Sequence, residues 1–139
     1  MIAIDTNILI YSFDRNDLIK RNKARSLLRS LRSSTEEVIL PWQVVGEFLR
    51  YLRSLQDSKV LGRADLERVF ARYRRLFTIQ LPSLDVLDNA LDLSARYSLS
   101  HWDSILLGAC RVAGANTLYT EDMGAPVVIG GIQLVNPFI

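Results

Sequence analysis

The chain has almost no soft metal-binding or redox chemistry to offer. Among 139 residues, Cys110 is the only cysteine and His101 the only histidine. One cysteine excludes an internal disulfide and fits a reducing cytoplasm. It stands in the apolar run ILLGAC, where a small core residue is expected. His101, beside Ser100, reads as part of a helix start more readily than as a general base. Long apolar runs are also missing: none approaches the roughly 18 residues of a membrane span. The opening MIAID has neither the basic region nor the apolar stretch of a secretory signal, so a cytoplasmic location is expected. No repeat, low-complexity tract or linker interrupts the chain, which is long enough for one domain with a full core, residues 1–139.

Lysine is scarce as well, 3 against 14 arginines. A net charge of +2 does not by itself announce a nucleic-acid binder. The distribution says more, because arginine suits bidentate contact with phosphate or carboxylate. Much of the positive charge lies in KRNKARSLLRSLR (20–32) and RVFARYRR (68–75). For either run taken singly, the solvated face of an amphipathic helix is the favoured reading.

Hydrophobic periodicity gives the element order. Residues 2–4 read as a short buried strand, followed by a helix through about Phe13. Asp17 can cap a second helix, with Ala24, Leu27, Leu28 and Leu31 at helical spacing. VIL (38–40) is a second strand, ended by Pro41, and a third helix buries Val44, Val45, Phe48, Leu49, Leu52 and Leu55. After Gly62, a helix turns Leu66, Val69, Phe70, Tyr73 and Phe77 inward, and FTIQL (77–81) alternates as a strand. The helix after Pro82-Ser83 is expected to bury Leu84, Leu87, Leu91 and Ala95 and to expose Asp88 and Asp92. SHWDSILLGACRVAG (100–114) is apolar nearly all round and should be a buried helix. NTLYT (116–120) and IQLVNPF (132–138) supply the remaining strands. Short strands alternating with helices imply an α/β fold with a mainly parallel sheet covered on both faces.

Four carboxylates stand out against this background. Asp5 directly follows the first strand, and Asp122 follows the strand TLY. Open α/β sheets carry ligands at the carboxyl ends of their strands, so these two meet if their strands are neighbours. Glu47 flanks a core stripe, and Asp103 lies in the first turn of the apolar helix. Each has a purely structural alternative. Asp5 suits a helix N-cap, Ser100 and Asp103 have capping-box spacing, Asp122 with Gly124 suits a turn, and Glu47 suits an arginine partner. Taken together, clustered carboxylates repel unless one keeps its proton or a cation lies between them. With softer ligands missing, only oxygen coordination of a hard ion such as Mg²⁺ or Mn²⁺ is on offer.

IAIDTNILIY, the helix carrying Glu47, HWDSILLGA around Asp103 and YTEDM around Asp122 resemble the PIN-domain ribonucleases, and more narrowly the VapC-type toxins of bacterial toxin–antitoxin pairs. The ending GGIQLVNPF is similar to that group's last strand, so the resemblance covers essentially the whole chain. It implies a three-layer α/β/α sandwich with a short-stranded, mainly parallel sheet. It also implies Mg²⁺- or Mn²⁺-dependent endonucleolytic cleavage of RNA by metal-activated water. Asp5 and Asp103 would be metal ligands, with Glu47 and Asp122 acting directly or through water, and Asn7 and Thr120 in support. A homodimer and a cognate antitoxin, with a polar side chain entering the acidic groove, are implied too. Arg15, Lys20 and Arg21 are candidates for contact with the RNA backbone. The same acids would serve a housekeeping RNA-processing nuclease, and a silent binding module would retain the pocket without the activity. An aspartyl-phosphate phosphatase would need a second aspartate where Asn7 stands.

Overall fold

Three buried apolar residues, Ile2–Ile4, form strand β1 at the centre of the sheet. The structure, a computed structural model, describes residues 1–139. Helix α1 (Thr6–Tyr11) follows β1 at once, two residues shorter than the apolar spacing suggests. Helix α2 (Leu18–Arg32) starts at Asp17, whose carboxylate accepts the Lys20 amide at 3.0 Å. That bond satisfies one of the amides a helix start leaves without a partner. Strand β2 (Val38–Pro41) runs directly into α3 (Trp42–Asp57), Pro41 closing the strand and preceding the first helical turn. Helix α4 (Arg63–Leu76) leads to β3 (Thr78–Gln80). Helices α5 (Leu84–Arg96) and α6 (His101–Ala113) precede β4 (Thr117–Tyr119).

A last strand pair, β5 (Val127–Ile129) and β6 (Ile132–Val135), closes the chain as an antiparallel hairpin. Its two-residue turn is Gly130-Gly131, with φ of +58° and +82°. Such left-handed pairs match the twist of the strands they join. Strand β5 is absent from the periodicity reading, because three residues with two exposed valines carry no alternation. The Gly-Gly pair between VVI and IQLV was the available signal.

The six strands lie in the order β3-β2-β1-β4-β6-β5, all parallel except β5. From β1 the chain steps outward through β2 to β3, then returns to place β4 on the other side of β1. Right-handed crossovers that move in opposite directions put their helices on opposite faces. Accordingly α1 packs on α2 and α3, α3 on α4, and α5 on α6. The result is the expected three-layer arrangement, with the direction of winding reversing between β1 and β4. The core runs through Ile4, Leu9, Leu40, Val44, Phe48, Leu52, Leu107 and Leu118.

Helix α5 departs from expectation. Leu84, Leu87 and Leu91 are 79%, 50% and 70% exposed, Ala95 is exposed too, and Val86, Ala90 and Leu93 are buried instead. Asp88 is exposed as expected, but Asp92 is partly buried, where it accepts from Arg111 of α6 at 2.8 Å. The cause is the closeness of α6. A Cβ on Gly108 would lie 2.7 Å from the Val86 carbonyl oxygen and 3.0 Å from the Ala90 amide nitrogen. Only small residues fit between backbones this close, so the face carrying Ala90 turns inward and the leucine face is left outside. Gly108→Ala is therefore expected to destabilise by about 1–3 kcal/mol through overpacking, read as a lower urea midpoint at unchanged m value.

Candidate active site

Parallel pairing of β1 with β4 matches Ile4 with Tyr119, and the Asp5 amide donates to the Tyr119 carbonyl at 3.0 Å. The next residues of both strands therefore emerge together at the point where the winding reverses. Asp5 is buried, and both of its carboxylate oxygens are engaged. Oδ1 accepts the Thr6 amide at 2.6 Å, capping α1, while Oδ2 accepts the hydroxyl of fully buried Thr120 at 2.7 Å. The capping and site readings of Asp5 are thus compatible, since each uses a different oxygen.

Asn7, in the first turn of α1, joins the second acid to the first. Its Nδ2 donates to Asp122 Oδ2 at 3.1 Å and lies 3.5 Å from both Asp5 Oδ2 and Thr120 Oγ1. The Asp122 amide in turn donates to Thr120 Oγ1 at 3.0 Å, which fixes the start of the loop. Glu47, exposed on α3, reaches the cluster through Thr6, whose hydroxyl donates to Oε2 at 2.8 Å. Gln43, one turn earlier, donates to Glu47 Oε1 at 3.1 Å and to the Trp102 carbonyl at 3.4 Å.

Asp103 stands apart from this network. Its amide donates to Ser100 Oγ at 3.3 Å, so the forward half of the capping box is present. Its carboxylate makes no hydrogen bond to the other acids, although neighbouring Trp102 lines the groove that contains them. That groove encloses about 920 Å³, with Asp5, Glu47 and Asp122 on its floor. Trp42 and Trp102 flank it and are exposed, so neither is a core residue. His101 is exposed and meets the Trp102 ring edge-on at 4.7 Å. Cys110 is buried in α6, and burial pushes its thiol up to about 12, which leaves it inert.

The basic candidates are placed unequally. Lys20 donates to Glu121 at 2.9 Å and to the Tyr11 hydroxyl at 3.2 Å, and lies 4.6 Å over the Tyr11 ring. Its ammonium is committed within the chain, with its pKa raised chiefly by the bond to Glu121. Arg21 is partly buried with its Nε unpaired, and Arg15 is exposed before α2. Neither lines the groove. The arginine that does line it, Arg50, was not picked out from sequence, nor was Gln43. Their offsets from Glu47, three residues after and four before, put all three on one helix face and were the signal available.

The electrostatics centre on Asp5. Burial raises its carboxyl from the ordinary 3.8 to about 6, against the lowering effect of the Thr120 and Thr6 hydrogen bonds, with Asp122 and Glu47 adding repulsion. A cation would relieve that strain, and the donors fit a hard one. Every polar atom at the cluster is oxygen or amide, and Asn7 Oδ1 is buried beside the acids without a partner. No three acidic, histidine or cysteine side chains converge as a complete ligand set. Mg²⁺ does not require one, being held typically through one or two carboxylates with water filling the other positions.

Residues 2–128 match the model of the PIN domain family, and the chain belongs to that family. Its fold is also similar to that of the toxin–antitoxin complex from Klebsiella pneumoniae, at 20% identity, 99% of this chain and 98% of that one, with a TM-score of 0.68. Against VapC20 of Mycobacterium tuberculosis, a sarcin–ricin loop cleaving toxin, the values are 18%, 96%, 99% and 0.66. VapBC-1 from nontypeable Haemophilus influenzae gives 14%, 99%, 98% and 0.67. Among curated sequences no match is found.

The raised Asp5 carboxyl makes a signed prediction for the metal-free protein. The folded chain holds a proton there that the unfolded chain has released, so this contribution to stability is full below 3.8 and falls as pH rises through about 6. The shift corresponds to about 3 kcal/mol at most. Asp5→Asn removes the cost, so its melting temperature in EDTA should exceed the wild-type value at pH 8, and the difference should shrink at pH 4.

Proposed function

We propose that the protein is a Mg²⁺- or Mn²⁺-dependent endoribonuclease and the toxin of a type II toxin–antitoxin pair. The observation that carries the reading is the bonded cluster of Asp5, Asn7, Thr120 and Asp122 at the winding reversal, joined through Thr6 to Glu47 in an open groove. Membership of the PIN domain family and fold similarity to toxin–antitoxin proteins support it.

Asp5 and Asp103 would hold the ion, Asp103 from the first turn of α6, with Glu47 and Asp122 contacting it directly or through water. A bound divalent cation supplies Lewis acidity, lowering the pKa of water and neutralising phosphate charge. The chain supplies position. Thr120 and the Thr6 amide orient the Asp5 carboxylate, Asn7 sets its spacing from Asp122, and Thr6 with Gln43 fixes Glu47. Arg50, exposed in the groove without an ion-pair partner, is placed to meet a phosphate oxygen. Water attacks phosphorus and the 3′ oxygen leaves with a proton, giving a 5′-phosphate and a 3′-hydroxyl.

The leucine face of α5 supports a homodimer. Leu84, Leu87 and Leu91 form an apolar stripe, which Leu81 extends before the helix, where solvent-facing positions of a monomer are usually polar. Leu84→Asp combined with Leu91→Asp is expected to convert a dimer to a monomer in light scattering. A wild-type protein that is itself monomeric would refute this interface.

Purified protein free of partner should cut RNA with Mg²⁺ or Mn²⁺ and stop with EDTA. Asp5→Asn and Asp103→Asn should each lower the rate by at least about 100-fold, the scale of losing a key electrostatic group, while circular dichroism stays unchanged. Full activity in Asp5→Asn would overturn the site. In cells, expression alone should arrest growth and co-expression of the cognate antitoxin should restore it; growth unaffected by active protein would point to RNA processing instead.

A further inference from the structure

A second cavity, of about 420 Å³, lies between α2 and α4, away from the acidic groove. Arg25, Arg29 and Arg32 line it from α2 and Arg72 faces them from α4, with no acidic residue in the lining. None of the chain's six ion pairs involves any of the four. Arg25 has a structural task, since its Nε donates to the Ser12 carbonyl at 2.8 Å. Arg29, Arg32 and Arg72 are exposed, with no side-chain partner within the chain. Four guanidiniums gathered around one hollow repel one another, and an anion is the group that would relieve them.

The arrangement describes the anion. Arg25, Arg29 and Arg32 fall at steps of four and three residues, so they form one stripe along α2. At 1.5 Å rise per residue that stripe is about 10 Å long, with charges about 5–6 Å apart. This is a track for a chain carrying regularly spaced charges. Guanidinium forks match phosphate geometry bidentately. The hollow also has aromatic walls, Phe13 and Tyr73, both partly exposed. A basic track beside aromatic surfaces is the usual means of holding single-stranded nucleic acid without sequence preference. Ser12 and Phe13, at the end of α1, lie one short helix away from Asp5.

We infer that the α2–α4 cavity is a second binding site for the phosphate backbone of single-stranded RNA, separate from the acidic groove. It rests on RNA being the substrate proposed above, and it adds where the strand is held outside the cleavage position. Outside the acidic groove, the arginines of the track, and not Lys20, supply the backbone contacts.

The test measures binding in EDTA, with cutting silent. Anisotropy of a labelled oligouridylate is followed against salt concentration for the wild type, for Arg29→Gln combined with Arg32→Gln, and for Arg72→Gln. The control is Arg63→Gln combined with Arg68→Gln, whose side chains pair with Glu67 and Asp65 on α4 outside the cavity. Each cavity variant should bind more weakly, the double variant by about tenfold or more. The slope of log affinity against log salt should lessen by about 0.7 for each phosphate that the variant no longer neutralises. An unchanged slope in the cavity variants, or an equal loss in the control, overturns the proposal. So does a cavity that binds polyglutamate and loses it in these variants while oligouridylate binding stays intact, which would assign it to an acidic polypeptide. Arginine-dependent binding by protein that cuts no RNA with metal leaves this site standing and removes the nuclease reading.

Discussion

The parallel contact between β1 and β4 is the constraint on which the site depends. Three residues of strand on each side are enough to bring positions 5 and 120 side by side, although 115 residues separate them in the chain. The pairing also buries Asp5, so its carboxylate loses water and must find hydrogen-bond donors within the protein. Thr120 and the Thr6 amide are those donors, and each lies within two residues of the end of one of the paired strands. Burial of the first acid then shapes the rest. Burial pushes the carboxyl up to about 6, and the nearby Asp122 and Glu47 add repulsion that further disfavours its charged form. Stability is given up at one buried aspartate, and a counter-charge placed beside it would recover that cost.

Much of this was legible in the sequence, for identifiable reasons. Asp5 and Asp122 were marked because each follows an apolar strand, and strand ends are where an α/β sheet holds ligands. Asn7 and Thr120 required the family resemblance, since a small amide and a hydroxyl near acids have many structural uses. Glu47 was visible as a charge beside a core stripe, and its helical neighbours Gln43 and Arg50 were readable by the same periodicity. Asp103 was placed correctly on its helix, but its carboxylate lies outside the hydrogen-bonded cluster.

The failures share a cause. Periodicity reveals that a helix has an apolar face, but it cannot choose between two such faces. In α5 the choice was made by Gly108 on another helix, through a backbone approach that no local pattern encodes. Trp42 and Trp102 likewise stand at the rim of the groove, a placement that no local pattern encodes. Among the cations, Lys20 looked available because Glu121 lies 101 positions away. Partnership across such distances is a tertiary fact.

The Lys20–Glu121 bond has a mechanical consequence. Lys20 sits in the first turn of α2, and Glu121 directly precedes Asp122 in the loop after β4. The far half of the same helix carries Arg25, Arg29 and Arg32. A helix of this length is about 22 Å of stiff rod, clipped at one end to the loop that presents an acid to the groove. The ion pair therefore joins, through one stiff element, the helix face that carries the arginines and the loop that carries Asp122.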